Sequence, residues 1–273
     1  MTAPARIYLS FDVEEYDLPN EFGAELPLER QMEIGTEGFE RTLALLDRLD
    51  VPTTLFTTSR FAEHAATLVR DASSTHEIAS HGVRHDTFEP NDFAISRARL
   101  ESITGSRVRG FRMPRLKYVD PILAREAGYD YDSSENPIRL PGRYDNRHLP
   151  RTPRTDSGLL RVPISTTPRL RIPLFWLGFR HLPGPLLRNC LDRTLAADGR
   201  LVLFFHPWEL LESERGLPMP LSVRRGGGRR LERRLERELR RLSDRAEFHP
   251  MSHLLSTREA MKQGAPDEQE RPD

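Results

Sequence analysis

RIYLSFDVEEYD, residues 6–17, is the segment that decides the fold class. Residues 7–11 are its apolar, strand-favouring part, and an acidic run follows them directly. Similar strand-like segments recur along the chain, and segments with helical spacing of apolar residues separate them. Because strands that alternate with helices form parallel sheets, the pattern predicts an α/β protein with its functional groups at the carboxyl ends of the strands.

The predicted elements run through most of the chain. Strands are predicted at residues 7–11, 53–57, 77–80, 108–111, 129–132 and 201–205. Helices are predicted at residues 37–49, 60–70, 93–103, 121–127, 186–196 and 231–242, and a last strand and helix at residues 247–261. Thr36 is the expected N-cap of the first helix. The helix at 231–242 has leucines at helical spacing, so we expect it to dock on the outside of the fold by that stripe.

The alternation stops between residues 136 and 171. This segment holds many prolines and arginines and has little periodicity, so it is predicted to be a long excursion from the sheet. We assign residues 1–263 to one domain, with 136–180 as an insertion on the substrate side. Residues 224–262 would form the outer helix and a closing strand and helix. The polar residues 264–273 are predicted to be a disordered tail.

Composition restricts the class of partner and the compartment. The 273 residues include 41 basic and 41 acidic side chains, and this balance argues against a nucleic-acid partner, which would require a basic surface. The single cysteine, Cys190, excludes an internal disulfide and favours a reducing compartment. The first residues lack the pattern of a signal peptide, and no stretch approaches the ~20 apolar residues of a membrane span. We therefore expect a cytoplasmic protein without a transmembrane segment.

Two histidines after one predicted strand could hold a metal ion. His81 and His85 would face the same side on one helical turn. A third ligand would come from the acidic run after the first strand, where Asp12 and Glu14 point to the same side of an extended segment. One of these carboxylates could bind metal while the other acts as a base. The alternatives are histidines of the surface or core, and an acidic loop that only keeps the strand edge soluble.

Two further strand ends carry candidate catalytic groups. His206 follows the apolar strand at 201–205, and histidine ordinarily titrates near neutrality, which suits a general acid. Arg112 could hold Asp12 by a bidentate charge-assisted bond. The alternatives are a core histidine with satisfied ring nitrogens and an ordinary salt bridge. The sequence has neither a glycine-rich phosphate loop nor a GxSxG segment, which argues against nucleotide-dependent and serine-hydrolase chemistry.

Together, the segments at the strand ends resemble the motifs of the polysaccharide deacetylases, which are the carbohydrate esterase family 4 or NodB-homology proteins. In the family's order, they are LSFDVEEYD (9–17), HEIASHGVRH (76–85), GFRMPR (110–115), YDYDSSENP (129–137) and LVLFFHPWEL (201–210). The resemblance implies a distorted (β/α)7-type barrel in which one zinc or similar ion activates a water molecule. That water would attack an acetamide carbonyl and release acetate and a free amine.

The first motif departs from the family's commonest form, and this affects the expected metal ligands. Many members have two consecutive aspartates, the first a base and the second a ligand, but Val13 cannot bind a metal. A subgroup with Asp-x-Asp or Asp-x-Glu fits this sequence better, so Glu14 is assigned as the third ligand beside His81 and His85. Asp12 as the ligand, with a neighbouring glutamate in support, stays open. Cobalt, nickel and manganese are alternatives to zinc.

The resemblance also implies catalytic roles. Asp12 would be the base, Arg112 would orient it, and His206 would protonate the leaving amine. The backbone N–H of Arg115 would help to hold the oxyanion. Asp132 lies in the fourth motif, whose usual role is to tune the neighbouring catalytic groups. Both of these motifs differ from their commonest forms, because Arg115 stands where an aromatic residue is frequent and the fourth motif has no tryptophan.

The motif variants also indicate a substrate. DVEEY, GFRMPR and FFHPWE resemble a subgroup associated with assembly of bacterial cell-surface polysaccharides. Members without a signal peptide would work at the inner membrane face on lipid-linked saccharides, so the expected partner is an N-acetylated glycan or such a precursor. Arg143, Tyr144 and Trp176 in the insertion, and Trp208 in the fifth motif, are candidate substrate contacts. Simple loop packing is the alternative for these side chains.

Two other functions are compatible with the sequence. Related barrels of the Asp-x-Asp type hydrolyse small cyclic amides, so a non-carbohydrate amide is one alternative substrate. A non-catalytic binding protein that retains the fold is the second alternative. The joint presence of Asp12, Arg112, His81, His85 and His206 argues against it, since a scaffold needs none of these together.

Overall fold

β1 (Ala5–Val13) is the central strand of the protein. The computed structural model describes residues 4–140, 144–212 and 217–256, without the side chain of Tyr144. Along one side, β1 pairs in parallel with β10 (Arg200–Phe205). On the other side, β11 (Ala246–Phe248) pairs with the first residues of β1 and β2 (Thr54–Thr57) pairs with the last ones.

The other strands extend this sheet or form a small hairpin. They are β3 (Glu77–Ser80), β4 (Gly110–Phe111), β5 (Tyr131–Asp132), β6 (Arg139–Leu140), β7 (Tyr144–Asp145), β8 (Arg154–Asp156) and β9 (Leu159–Arg161). The large sheet has the order β10-β1-β2-β3-β4-β5-β9-β8, and its pairs are parallel except β8 with β9. β6 and β7 form a separate antiparallel pair. The sheet curls into a half-barrel, which confirms the predicted α/β class and its distorted barrel.

Helices pack against the sheet and follow most of its strands. They are α1 (Leu28–Leu49), α2 (Ser59–His64), α3 (Ala66–Ala72), α4 (Asp92–Thr104), α5 (Pro121–Glu126), α6 (Trp176–His181), α7 (Gly184–Asp198), α8 (Leu221–Arg224) and α9 (Arg229–Ser243). The leucine stripe of α9 is buried, as predicted. Among the described residues, no helix has the length and apolar character that a membrane crossing requires.

Alternation along the central strands separates two layers of core. The odd-numbered residues of β1 pack with helix residues in the larger core. Tyr8 of β1 lies instead with Phe204 of β10 in a second core on the inner side of the curl. Because successive side chains of a strand point to opposite faces, Asp12 and His206 lie on the same inner side as Tyr8 and Phe204.

α1 extends further toward the N-terminus than its sequence pattern predicts. Thr36, the predicted N-cap, lies inside this helix. Gly35 and Gly38 weaken the helical signal, but both allow a close approach to loops of the site. A Cβ atom on Gly35 would lie 2.7 Å from the carbonyl oxygen of Glu14, and one on Gly38 would lie 2.7 Å from the carbonyl carbon of Pro207. These glycines therefore position α1 against the ends of β1 and β10.

The predicted excursion at residues 136–171 returns to the large sheet. The segment contains β6 to β9, and β9 joins the large sheet beside β5. β9 has only three residues, and one of them is the buried charge Arg161, so no periodic apolar pattern marks it. The predicted helix at 60–70 is divided at Ala65 into α2 and α3. The predicted tail at 264–273 lies outside the described residues.

A polar network closes the amino-terminal end of the sheet. The backbone N–H of Met251 donates to the Thr54 hydroxyl, and that of Ser252 donates to the Glu77 carboxylate. The hydroxyls of Thr54 and Tyr131 donate to the same carboxylate. Burial raises the pKa of Glu77, although these hydrogen bonds act in the opposite direction. One carboxylate thus connects the C-terminal end of the described chain to β2, β3 and β5.

Candidate active site

The predicted site residues gather where β1, β3, β4 and β10 end. Asp12 lies in β1 and Glu14 follows it, while His81, Arg112 and His206 directly follow β3, β4 and β10. The parallel register of these strands aligns their carboxyl ends along one edge of the sheet. The predicted grouping of these five residues is therefore observed.

Glu14, His81 and His85 form a buried group whose potential ligand atoms all lie within 4.8 Å of one another. Oε2 of Glu14 is 3.2 Å from Nε2 of His81 and 3.4 Å from Nε2 of His85. These separations are close to the ~3.3 Å edge of a tetrahedron with bonds of about 2.0–2.1 Å, the usual zinc–ligand lengths. Oε2 of Glu14 is also buried without a hydrogen-bond donor of suitable geometry. The three side chains therefore fit a divalent metal ion.

Oxygen acceptors hold the other ring nitrogen of each histidine. Nδ1 of His81 lies 2.8 Å from the carbonyl oxygen of Arg112, and Nδ1 of His85 lies 2.6 Å from Oδ1 of Asp17. Because these oxygens only accept hydrogen bonds, each Nδ1 carries a proton and each ring turns Nε2 toward Glu14. The backbone N–H of His85 donates to Glu15, which fixes the main chain at this ligand.

Charges within this group shift the pKa values of Glu14 and His85. Burial by itself would raise the pKa of Glu14, but the charge of His85 and the contact with His81 lower it to about 2. Burial would lower the pKa of His85, but Glu14 and Asp17 raise it to about 9. The chain alone therefore holds a proton on His85, and a cation must displace that proton when it binds.

Asp12 lies beside the group of metal-ligand candidates. Its Oδ1 accepts a hydrogen bond of 2.5 Å from Nη1 of Arg112, and its Oδ2 is 4.0 Å from Nε2 of His206. Arg112 is 0% exposed and also donates to Ser10 and Ser133. The sequence predicted a bidentate bond between Arg112 and Asp12. Instead, Nε and Nη2 of Arg112 donate to Ser133, so the guanidinium binds only one oxygen of Asp12.

Aromatic rings and one carboxylate enclose His206. Trp208 stacks on its imidazole with ring centroids 5.0 Å apart, and Trp176 meets it edge-on at 6.2 Å. Nδ1 of His206 lies 2.8 Å from Oε1 of Glu209. Burial would lower the pKa of His206, but the bond to Glu209 and the neighbouring acidic charges raise it above its ordinary value. Only Nε2 remains to face Asp12.

Arg115 is connected to the metal-ligand candidates through Asp17. Its backbone has a left-handed conformation with φ of 60°, and its guanidinium donates to Glu21 at 2.5 Å and to Asp17 at 3.1 Å. The side chain therefore supports the partner of His85. A cleft of about 440 Å³ opens here, and its walls include Arg60, Asp17 and Arg115.

The carboxylate of Asp132 has Ser134 and Arg161 as partners, and not His206. It accepts a hydrogen bond from the Ser134 hydroxyl, and its Oδ2 is 3.3 Å from Nε of Arg161. Burial raises the pKa of Asp132, against Arg161 and Ser134, which lower it. Of the remaining predicted contacts, Tyr144 belongs to β7 but its side chain is not described, and Arg143 lies outside the described residues.

Three supporting carboxylates were not predicted from the sequence. Asp17 binds the ring of His85, Glu15 binds its backbone, and Glu209 binds the ring of His206. Asp17 and Glu15 do belong to the acidic run after β1, and Glu209 follows His206 by three residues in a helical turn. Spacing alone does not give the direction of these side chains, because each lies where the chain leaves a strand and turns.

Comparisons with known proteins relate the first half of the chain to a described family. Residues 2–132 match the family model described as polysaccharide deacetylase, and residues 133–256 match a domain of unknown function, DUF3473. The first half of the chain therefore matches the polysaccharide deacetylase family, and the second half carries a DUF3473 segment. A comparison with curated protein sequences finds no match.

Solved structures share the fold over nearly the whole chain. A Mycobacterium smegmatis protein assigned to the polysaccharide deacetylases has 21% identity and a TM-score of 0.65, with 100% of this chain and 96% of that chain covered. A Pseudomonas aeruginosa protein with the same assignment has 16% identity and a TM-score of 0.62, with 95% and 91% covered. The PuuE allantoinase has 17% identity and a TM-score of 0.62, with 97% and 94% covered. At these identities the likeness concerns the fold.

Proposed function

We propose that the protein is a metal-dependent hydrolase that removes N-acetyl groups from an N-acetylated sugar of a cell-surface polysaccharide or its precursor. The observation that carries this proposal is the buried Glu14–His81–His85 group with Asp12 and His206 beside it. The polysaccharide deacetylase match supports the carbohydrate amide as substrate. The metal requirement rests on the ligand geometry of these three side chains.

The base side of the reaction is assigned to Asp12. A divalent ion held by Glu14, His81 and His85, with zinc as first choice, would supply Lewis acidity and lower the pKa of water. Asp12 accepts the proton of the attacking water through Oδ2, because Arg112 occupies Oδ1. The buried guanidinium also keeps Asp12 in one orientation, so no rearrangement is needed when the substrate arrives.

The acid side is assigned to His206. Nε2 of His206 and Oδ2 of Asp12 face each other across 4.0 Å, so an acid and a base flank the same point at the sheet edge. His206 donates the Nε2 proton to the amine as the carbon–nitrogen bond breaks. Trp176 and Trp208 flank the imidazole, and both are proposed to form a wall of the substrate groove.

The remaining assignments concern the oxyanion and the outer parts of the groove. The backbone N–H of Arg115 is proposed to donate to the oxyanion, and Tyr144 to contact the sugar. Asp132 is proposed to act indirectly, because its partner Ser134 accepts a hydrogen bond from the backbone of Met113. Residues 136–180 are proposed as the substrate-side part of the single domain 1–263. The cytoplasmic location expected from the sequence also remains a proposal, which cell fractionation would test.

Metal content paired with acetate release tests the proposal. The wild type, His81→Ala and His85→Ala would be analysed for bound divalent metal and assayed on N-acetylated chito-oligosaccharides. His64→Ala is the matched control, because His64 is an exposed histidine at the end of α2. We expect metal and acetate release in the wild type and control, and loss of both in the other variants.

Two other outcomes would redirect the assignment. A wild type that binds metal without releasing acetate would move the substrate to another amide, such as a cyclic one, which the same proteins would be offered next. A wild type that binds no metal and hydrolyses neither substrate would contradict the proposal and favour a non-catalytic binding protein.

A further inference from the structure

His206 has an acidic partner inside its own turn. Glu209 is 1% exposed, and its Oε1 accepts both the ring Nδ1–H of His206 at 2.8 Å and the backbone N–H of His206 at 2.9 Å. The turn Pro207–Leu210 fixes this geometry, because His206 and Glu209 are the first residue and the third helical position of a capping box. The imidazole therefore cannot rotate without breaking a bond to a buried carboxylate.

Arg180 braces Glu209 by an ion pair with its second carboxylate oxygen. Nη1 of Arg180 lies 3.4 Å from Oε2 of Glu209, the oxygen that His206 does not use. The guanidinium also donates to the backbone carbonyls of Arg225 and Val223, so it connects α6 to the end of α8. Since Arg180 and Glu209 are both buried, the pair loses little strength to solvent.

The fourth motif does not supply this partner. Asp132 is bound to Ser134 and lies 3.3 Å from Arg161, and among the described residues no hydrogen bond or ion pair joins it to His206. The resemblance to the family implied that Asp132 tunes the neighbouring catalytic groups, but here the ring of His206 contacts a different carboxylate. The contacts assign that position to Glu209.

We infer that Glu209, braced by Arg180, is the positioning residue of His206. Glu209 keeps the proton of Nδ1 in place, directs Nε2 toward Asp12 and stabilises the imidazolium form that donates a proton. The inference rests on the proposed function, because it gives His206 the role of acid. It also gives residues 133–256, the DUF3473 segment, a part in the chemistry, since His206, Glu209 and Arg180 all belong to it.

The first experiment compares leaving groups. Protonation by His206 is needed when the leaving group is an amine but hardly when it is 4-nitrophenolate. Glu209→Gln should therefore lower kcat on N-acetylated chito-oligosaccharides by at least about 100-fold. KM, bound metal and hydrolysis of 4-nitrophenyl acetate should stay within a few-fold of the wild type. His206→Ala should show the same selective loss, and Arg180→Met a smaller one in the same direction.

Glu212→Gln is the matched control, because Glu212 lies three residues further along and is exposed. We expect this variant to match the wild type on both substrates. Equal loss on amide and ester in Glu209→Gln would indicate general disruption of the site and overturn the inference. Full activity of Glu209→Gln on the amide would also overturn it.

A second measurement does not depend on turnover. Nitrogen-15 NMR of histidine-labelled full-length protein reports which ring nitrogen of His206 carries the proton. We expect a protected Nδ1–H signal in the wild type that disappears in Glu209→Ala and persists in Glu212→Gln. If the wild type releases no acetate but this pattern holds, the proposed function fails while the pairing of Glu209 with His206 stands. An unchanged Nδ1–H signal in Glu209→Ala would overturn the pairing itself.

Discussion

The two halves of the site use one structural device for different purposes. In the half that residues 2–132 supply, His81 and His85 each fix Nδ1 on an oxygen acceptor and turn Nε2 toward Glu14. In the half that residues 133–256 supply, His206 fixes Nδ1 on Glu209 and turns Nε2 toward Asp12. The contrast teaches that the surroundings of Nε2 decide the role. Two rings that converge on a buried anion suit a cation, whereas a single ring beneath tryptophans suits proton transfer.

The sharpest way to break this comparison is to change Asp12, the residue of the first half that faces His206 of the second. Asp12→Asn keeps the size of the side chain but removes the base, so we expect kcat to fall about 10²–10⁴-fold with bound metal unchanged. Acetate release and metal analysis would check this, with the exposed Asp145→Asn as the control. Loss of metal in Asp12→Asn would instead show that Asp12 is a metal ligand.

The next effect concerns stability on the metal side. Arg112→Met should lower the free energy of unfolding by about 3–5 kcal/mol, because Asp12 would be left buried without its ionic partner. Arg109→Met is the matched control three residues earlier, where a partly exposed bond to Asp130 should contribute at most about 1 kcal/mol. Urea unfolding of both variants measures the difference. Similar losses in the two variants would show that the buried position of Arg112 has no special importance.

A smaller effect should distinguish Asp17, which supports the ligand candidate His85, from Glu209, which supports the acid His206. Asp17→Asn should weaken metal binding about 10–100-fold, because the ring of His85 loses its charged acceptor. At saturating metal, kcat should remain within a few-fold of the wild type, in contrast to the Glu209 variants. Competition with a metal chelator measures the affinity, and Glu21→Gln is the control on the same loop. Unchanged affinity in Asp17→Asn would contradict this supporting role.

The smallest effect lies far from both halves, at Glu77. Burial raises its pKa above the value of the unfolded chain, so folding favours the protonated form. The wild type should therefore lose stability as the pH rises from about 4.5 through the raised pKa of Glu77. Glu77→Gln should not show this loss, because it has no titrating group at this position. Urea unfolding at pH 5 and pH 8 should show the wild type losing free energy relative to the variant. A difference that is independent of pH would contradict the raised pKa.

Much of the fold and of the central site could be predicted because each signal was local. An apolar strand followed by an acidic run, and two histidines four apart after another strand, place Asp12, Glu14, His81 and His85 at the strand ends. Alternation within each strand fixes the face on which such residues lie. The roles assigned to these residues stay predictions until the variants are measured.

The supporting contacts could not be predicted because they depend on distances between segments. Glu209 and Asp17 lie in turns, where the direction of a side chain follows from packing rather than from periodicity. β9 is too short to show a pattern, and its buried Arg161 argues against a strand until Asp132 is seen beside it. Gly35 suggests a helix break until the carbonyl group of Glu14 is found against it.

The position of β1 between β10 and β11 has a consequence for biosynthesis. The central strand is made well before its neighbours, because the strands on either side of its first residues belong to residues 200–248. At about 5–20 residues per second, a ribosome needs roughly 10–50 s to deliver those partners. During that time the nascent chain exposes an apolar strand edge that can pair with other chains. A message cut short before the codon for residue 200 would yield a product that never covers this edge, and we expect such fragments to be cleared or to aggregate.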